Sequence, residues 1–231
     1  MSSLAERLAE VEERISAAAS RANRDRSEIE LIVVTKNHPA QLVLDLLDLG
    51  VNSFGENRDQ EAAPKAAEVA SATAGKEFNY LWHFIGQLQS NKVRSALSYA
   101  SVVHSLDRPS LLDALIKASA ERTNPLEVFI QLNLTDDPGR GGIEPKDLLS
   151  FAEQVASASC LRLKGVMGVA SLDKAPEQDF ETIQKASQSL VEVFPEAKYI
   201  SAGMSEDFEA AIDFGATHLR VGSAITGKRQ Y

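Results

Sequence analysis

The sequence contains almost no cysteine and no long hydrophobic run. Cys160 is the single cysteine among 231 residues, so no intrachain disulfide can form, and a reducing cytoplasm is the location that we expect. No apolar stretch approaches the roughly 20 residues that span a bilayer. The first residues are charged and amphipathic, without the apolar centre of a secretory signal. These absences argue against a secreted or membrane-spanning protein.

Positive charge is also scarce. The chain has 24 Lys and Arg against 33 Asp and Glu, a formal net charge of −9 at pH 7. Proteins that bind nucleic acid through its phosphate backbone need an excess of Lys and Arg, so we expect no nucleic-acid partner. The charge is still compatible with one small anionic ligand in a locally positive pocket.

Strand-like and helix-like segments alternate along the whole chain. Strands are predicted at 31–36, 52–55, 81–86, 101–106, 128–134, 161–168, 198–202 and 218–222, and helices at 39–49, 57–72, 88–99, 108–122, 145–158, 176–193 and 205–214. Such alternation is typical of parallel βαβ units. Eight strands in this order predict an α/β fold, a single (β/α)8 TIM-type barrel domain over residues 1–231. One strongly flexible loop is predicted at 137–142.

An additional helix is predicted at the N-terminus. Ser3 and Glu6 match a capping box, and one face carries apolar residues, Leu4, Leu8, Val11 and Ile15. The segment that follows Gly222 is too short for a full eighth helix. We therefore expect the N-terminal helix to occupy or cover part of the eighth helical position.

Residues that could take part in binding or catalysis lie at the predicted C-terminal ends of the strands, where barrels of this type have their active sites. They are Lys36, the turn 55–57, Met167, the turn 201–204, Arg220, Gly222 and Ser223. Lys36 offers one amine, and Arg220 with the small-residue turn offers a cation and backbone donors. An amine, a polar partner for a ring nitrogen and a phosphate cradle are what pyridoxal phosphate (PLP) requires. The alternative for Lys36 is a solvated lysine just beyond its strand.

Two glycine turns, after the seventh and eighth strands, suggest a phosphate site. Gly222 allows close backbone approach, Ser223 adds a hydroxyl, and 224–226 could form the short extra helix that such sites use. Ser201 and Gly203 contribute a second turn, and Ser205 is a suitable N-cap for the helix that follows. The alternative for each turn is an ordinary strand-to-helix connection.

Histidine supplies a weaker signal. His83 alternates with Trp82 and Phe84, so it is expected to face the barrel interior, either as a hydrogen-bonded core residue or as part of the site. The four histidines show no metal-site spacing, and we expect no metal.

Several longer motifs carry a family resemblance between Leu31 and Gly227. They are Val33-Val34-Thr35-Lys36, Phe54-Gly55-Glu56-Asn57, the run 82–92 (WHFIGQLQSNK), the run 201–207 (SAGMSED) and the run 220–225 (RVGSAI). With these motifs the chain resembles the pyridoxal-phosphate homeostasis proteins (the YggS/PROSC type), which are related to the N-terminal barrel of alanine racemases.

The resemblance implies a role for each site residue. Lys36 would hold PLP as a Schiff base, Arg220 would face the pyridine nitrogen, and Ser201, Gly222 and Ser223 would receive the phosphate. The remaining pocket residues would be Asn57, His83, Met167, Gly203 and Met204. The implied function is a non-catalytic, monomeric protein that buffers PLP and delivers it to PLP-dependent apoenzymes in transient contacts.

Two enzyme classes stay open beside the carrier. A small PLP-dependent amino-acid racemase is the first alternative, and a phosphosugar-metabolising barrel enzyme is the second. Arg220 can only donate hydrogen bonds, so it would keep the ring nitrogen unprotonated and weaken electron withdrawal. A racemase would also need a second base. Tyr80, Tyr99 and Tyr199 lie at the wrong strand ends, while Tyr231 lies at the terminus, so the carrier is favoured.

Overall fold

The computed structural model of the chain describes residues 2–135, 141–171 and 175–227. Most of the predicted flexible loop at 137–142, and Tyr231, lie outside these residues. None of the helices described is both long and apolar enough to cross a membrane.

Eight parallel strands form a closed barrel, each pairing with the next and the last with the first. The strands are β1 (Glu30–Val34), β2 (Ser53–Glu56), β3 (Leu81–Phe84), β4 (Val102–Leu106), β5 (Leu126–Gln131), β6 (Leu161–Met167), β7 (Tyr199–Ser201) and β8 (His218–Val221). The predicted fold is confirmed. The observed strands differ from the predicted ones by up to three residues at their ends: most ends are shorter, whereas β1, β2 and β5 each extend beyond the predicted range at one end.

Helices surround the barrel in the order that the sequence predicts. They are α1 (Leu4–Arg21), α2 (Ala40–Asp48), α3 (Asp59–Thr73), α4 (Val93–Ala96), α5 (Pro109–Ser119), α6 (Leu148–Ala156), α7 (Pro176–Val193), α8 (Phe208–Asp213) and α9 (Ser223–Thr226). The helix predicted over 88–99 is shorter than expected: it consists of a 3₁₀ turn, Ser90–Lys92, followed by α4.

The N-terminal helix α1 is confirmed together with its capping box. The Ser3 hydroxyl accepts from the Glu6 N–H, and the Glu6 carboxylate accepts from the Ser3 N–H. Val11 and Ile15 are fully buried on the side that packs against α8 and α9. Arg7 Nε donates to the Ile225 carbonyl in α9 over 2.7 Å. Helix α1 therefore covers the position beside β8 that a full eighth helix would occupy.

The interior of the barrel holds many polar side chains beside a small apolar cluster, while the main apolar core lies between the strands and the helices. A Cβ on Gly55 would contact Ile32 and Val34 at 3.1 and 3.4 Å, so these alternate residues share the inner face. Other inner positions hold a serine, three histidines and an arginine, all buried: His83, His104, Ser201, His218 and Arg220. Parallel barrels normally fill this space with branched aliphatic residues, so the polar filling indicates a functional constraint.

Candidate functional site

Lys36 lies at the C-terminal mouth of the barrel, two residues beyond the end of β1. The alternation that directs Ile32 and Val34 inward also directs Lys36 to the mouth. Its side chain is exposed and has no hydrogen-bond or ion-pair partner within the described ranges. Lys36 is therefore solvated, which is the alternative that the sequence left open. It lies at the end of the barrel where a ligand would enter.

The backbone around Lys36 is held from α3 and β2. Lys65 Nζ, on α3, donates to the Thr35 carbonyl over 2.8 Å and to Glu56 Oε1 over 2.5 Å. The Thr35 hydroxyl donates to the same Glu56 oxygen over 2.7 Å. On the other side of Lys36, Asn37 adopts a left-handed φ of +64°, and its N–H donates to the Glu61 carboxylate. A buried ion pair and a tight turn therefore fix the segment that carries the exposed amine.

Arg220 lies inside the barrel beneath this mouth and is only 4% exposed. Nη1 donates to Ser201 Oγ over 2.6 Å and Nη2 to the Gly168 carbonyl over 2.8 Å. Burial lowers the pKa of Arg220 to about 10, and the Asp207 carboxylate partly offsets this effect. The guanidinium therefore stays charged at neutral pH. It has five N–H donors, so it can bond to a further acceptor.

Two backbone amides meet at the hydroxyl of Ser205, near the ends of β7 and β8. The Ser205 hydroxyl accepts from the N–H groups of Gly222 and Ala224 at 3.2 and 3.4 Å. The predicted N-cap role of Ser205 is wrong: its hydroxyl is held by these amides, and α8 begins only at Phe208. One hydroxyl oxygen facing two amides is an arrangement that an anion can share or replace.

Gly203 shapes the turn between β7 and Ser205. It has φ +89°, and a Cβ there would lie 2.9 Å from both Ala211 Cβ and Phe208 Cα, so only glycine fits. Its carbonyl accepts the backbone N–H of Arg220. The next residue, Met204, is half-buried and donates its N–H to Asp207 Oδ1 over 2.6 Å.

The other predicted site residues divide into two groups. Asn57 and Met167 lie at the mouth, where they line cavities of about 290 and 330 Å³. The backbone of Asn57 approaches Gly86 so closely that a Cβ on Gly86 would lie 2.2 Å from the Asn57 carbonyl oxygen. His83 and Ser201 lie deeper in the interior, where both are buried. Ser201 is in contact with Arg220, whereas His83 is nearer the opposite end of the barrel.

Sequence reasoning missed two residues of the interior, Glu30 and His104. His104 is fully buried, with Nδ1 at 2.8 Å from Ser201 Oγ and Nε2 at 3.0 Å from His83 Nδ1. Glu30 opens β1 and lies 3.2 Å from His83 Nε2 and 3.1 Å from His218 Nε2. The available signal was a charged residue or a histidine within an otherwise apolar strand.

Comparison with known proteins places the chain in one family. The family model for the N-terminal domain of alanine racemase matches residues 7–230. A pyridoxal phosphate homeostasis protein of Mycobacterium leprae is 39% identical over 238 residues, which cover 98% of this chain and 93% of the relative. The Escherichia coli K12 protein of that name is 37% identical over 235 residues, covering 100% and 99%.

A solved relative has the same fold over its whole length. The structure of PipY from Synechococcus elongatus with PLP bound matches with a TM-score of 0.81 at 30% identity, covering 97% of this chain and 100% of that one. With full-length agreement in both sequence and fold, the chain belongs to the family of pyridoxal phosphate homeostasis proteins.

Proposed function

We propose that this chain binds PLP at the C-terminal face of its barrel and acts as a cofactor carrier that buffers PLP and delivers it to apoenzymes. The observation that carries the proposal is the pairing of β1 with β8. Ile32 lies opposite Arg220 and Val33 opposite Val221, so the strand that leads to the exposed amine of Lys36 adjoins the strand that carries the arginine and leads to the two amides. The solved relative whose title states that PLP is bound supports the choice of ligand.

Lys36 is the proposed attachment point. Its amine would condense with the cofactor aldehyde, forming one C=N bond of a Schiff base and releasing one water. An exposed amine that has no partner among the described residues, on a fixed backbone, suits this reversible step, because the cofactor must also be able to leave.

The phosphate would lie on the amides of Gly222 and Ala224, with the hydroxyls of Ser205 and Ser223. The donor set fits a phosphate, since the two amides already bind an oxygen in this structure. The predicted phosphate role of Ser201 stays a prediction; its hydroxyl already contacts Arg220 and His104.

Arg220 favours a carrier over the racemase. When bound, PLP supplies an electron-withdrawing ring whose strength depends on a protonated nitrogen, and a donor-only guanidinium disfavours that proton. A second base is also lacking among the described tyrosines. Tyr80 and Tyr99 surround Trp82 outside the barrel, and Tyr199 lines the cavity at the opposite end. The expected monomeric state and cytoplasmic location remain predictions.

The attachment is tested with Lys36→Ala, with Lys92→Ala, at the same face, as the matched control. Purified wild-type protein should be yellow, and borohydride should fix the cofactor to the peptide that contains Lys36. Lys36→Ala should lose the visible band and the borohydride adduct while Lys92→Ala keeps both. An undiminished band in Lys36→Ala would show that another group holds the cofactor.

The phosphate site is tested by comparing PLP with pyridoxal. Removal of one charge-assisted hydrogen bond costs about 1.5–3 kcal/mol, so Ser205→Ala and Ser223→Ala should each weaken PLP binding about ten- to a hundredfold. Pyridoxal binding should not change. If wild-type protein bound both compounds equally, no phosphate site would exist.

Transfer of PLP to an apoenzyme is the test that distinguishes the carrier function from the racemase function. PLP-loaded protein is mixed with a PLP-free apoenzyme, either in one compartment or across a dialysis membrane. Reactivation should occur in both arrangements and should be faster in direct contact if transfer requires an encounter. The loaded protein should not racemise amino acids near the median enzyme turnover of about 10 s⁻¹. Robust turnover that disappears in Lys36→Ala would establish the racemase instead.

A further inference from the structure

A continuous line of polar side chains runs through the interior from Arg220 to the opposite mouth of the barrel. Arg220 Nη1 lies 2.6 Å from Ser201 Oγ, and Ser201 Oγ lies 2.8 Å from His104 Nδ1. His104 Nε2 is 3.0 Å from His83 Nδ1. His83 Nε2 is 3.2 Å from Glu30 Oε1. We call these five residues the interior relay. Two of its members, Glu30 and His104, have no predicted or proposed role.

The two ends of the interior relay impose one direction on every hydrogen bond in it. A guanidinium can only donate and a carboxylate can only accept. Ser201 therefore accepts from Arg220 and is free to donate its O–H to His104 Nδ1. His104 then carries its proton on Nε2 and donates to His83 Nδ1. His83 in turn carries its proton on Nε2 and directs it at Glu30.

The opposite direction would leave polar groups unsatisfied. If His104 donated to Ser201, the serine would receive two donors, and its own O–H would lack an acceptor among the described residues. Neutral His83 would then present a lone pair to the Glu30 carboxylate. A buried polar group without a partner destabilises the fold, so the first direction is preferred. Its weakest step is the last one, where His83 Nε2 lies 3.2 Å from Glu30 Oε1 without forming a full hydrogen bond.

Glu30 is held where it can act as the fixed end of this line. Ser53 Oγ donates to Glu30 Oε1 over 2.7 Å, and His218 Nε2 lies 3.1 Å from Oε2. The carboxylate borders a cavity of about 430 Å³ at the N-terminal mouth, so the interior relay connects the two ends of the barrel. His104 is further fixed by its stack on Phe129, with ring centroids 4.5 Å apart.

We propose that Glu30 is a positioning residue, which acts through His83, His104 and Ser201 to hold the guanidinium of Arg220 in the orientation that meets the ring nitrogen of PLP. The inference rests on the proposed function for its ligand, but the hydrogen-bond direction that it requires is a property of the protein alone. The two can therefore be tested separately.

The first test is the tautomer of each histidine in protein without cofactor, read by nitrogen NMR at neutral pH. We expect His83 and His104 both in the neutral Nε2–H form. Glu30→Gln, whose amide can also donate, should make the His83 signal heterogeneous. The control is Ser105→Ala, since Ser105 is buried beside His104 with no partner for its hydroxyl among the described residues; it should leave both tautomers unchanged. A wild-type Nδ1–H tautomer at either histidine would overturn the proposal.

The second test compares PLP with 1-deaza-PLP, in which a C–H replaces the ring nitrogen. Wild type should prefer PLP, and this preference should fall about tenfold in His104→Phe and in Glu30→Gln, because one oriented hydrogen bond to the nitrogen is weakened. His104→Phe keeps the stack on Phe129, and Glu30→Gln keeps the shape of the carboxylate, so either folded variant decides the result. A preference unchanged in a folded variant would overturn the inference and leave PLP binding intact. Failure of wild type to bind PLP at all would instead remove the proposed function.

Discussion

At the scale of single residues, His104 links the interior of the barrel to pH. Burial lowers the pKa of His104 well below its ordinary value of 6.5, and the nearby positive charge of Arg220 lowers it further. As the pH falls, His104 therefore takes up a proton near pH 6.5 in the unfolded chain, whereas in the folded chain it stays neutral until a lower pH. Stability from this residue is complete above that pH and is lost as the pH falls, by up to about 1.4 kcal/mol per pH unit.

The prediction for His104 is a steeper loss of stability between pH 6.5 and 5 in wild type than in His104→Phe. Urea unfolding at several pH values in this window measures the two slopes. Glu30 does not interfere with this comparison: burial alone would raise its pKa, but the contacts with the imidazoles of His218 and His83 outweigh burial and hold the pKa below its ordinary value. Its stabilisation is therefore lost only at lower pH, below about 4.3. Equal slopes in the two proteins would show that His104 is protonated in the folded state.

Gly203 shows how one backbone conformation supports the site. Gly203→Ala should lower the free energy of unfolding by more than backbone strain alone, which costs about 1 kcal/mol for a left-handed alanine. The additional loss arises because the new Cβ would lie 2.9 Å from Ala211 and from Phe208. Gly50 is the matched control, with φ +87° and nothing within 4 Å of a Cβ. Thermal unfolding of both variants isolates the contact contribution. If the two lose the same stability, the turn can shift, and Gly203 is not a fixed support for Arg220.

At the scale of elements, α3 packs on the outer side of the barrel and holds the end of the strand that leads to Lys36. Lys65 and Glu56 form an ion pair whose side chains are only 6% and 0% exposed. Removing one partner of a buried pair leaves an uncompensated charge, so Lys65→Met should destabilise the fold by about 3–5 kcal/mol. Because Lys65 also holds the Thr35 carbonyl, PLP attachment at Lys36 should weaken as well.

The control for Lys65→Met is Lys185→Met, on α7. Lys185 and Glu181 form an exposed i,i+4 pair with side chains 68% and 54% exposed, and such pairs contribute about 0.3–0.5 kcal/mol. Denaturant unfolding of both variants should therefore give very different losses. A small loss in Lys65→Met would mean that the Glu56 carboxylate takes up a proton or water reaches it, and the pair would not be a fixed support.

The elements were largely predictable because each has a local signal. Helix α7 begins at Pro176 and ends at Val193 as predicted, since its apolar spacing and its first-turn acids are both strong. The start of α8 was not predictable in the same way. Ser205 has the local pattern of an N-cap, but its hydroxyl bonds to Gly222 and Ala224, and these residues are distant in sequence. Tertiary hydrogen bonds outweighed local preference there.

At the scale of the whole molecule, the barrel order followed from eight alternating units, but the interior relay did not. Its members come from β1, β3, β4, β7 and β8, and their contacts depend on how far each strand is shifted against the next. That shift is set by closure of the whole barrel, which no local pattern records. The mouth residues were easier to predict, because every strand end lies at the same face whatever the shift.

Closure also ties the first strand to the last, which predicts one cooperative unfolding transition for the barrel. Strand β1 pairs with β8, and Ile15 of α1 is fully buried on the side that packs against α8 and α9. Ile15→Ala should cost about 2–5 kcal/mol, or about 4–20 °C in Tm for a chain of this size, without producing a second transition. Val193→Ala, at a position 52% exposed, should change little. Calorimetry measures both variants, and an early separate transition in Ile15→Ala would show that α1 detaches alone and that the barrel does not need its cover.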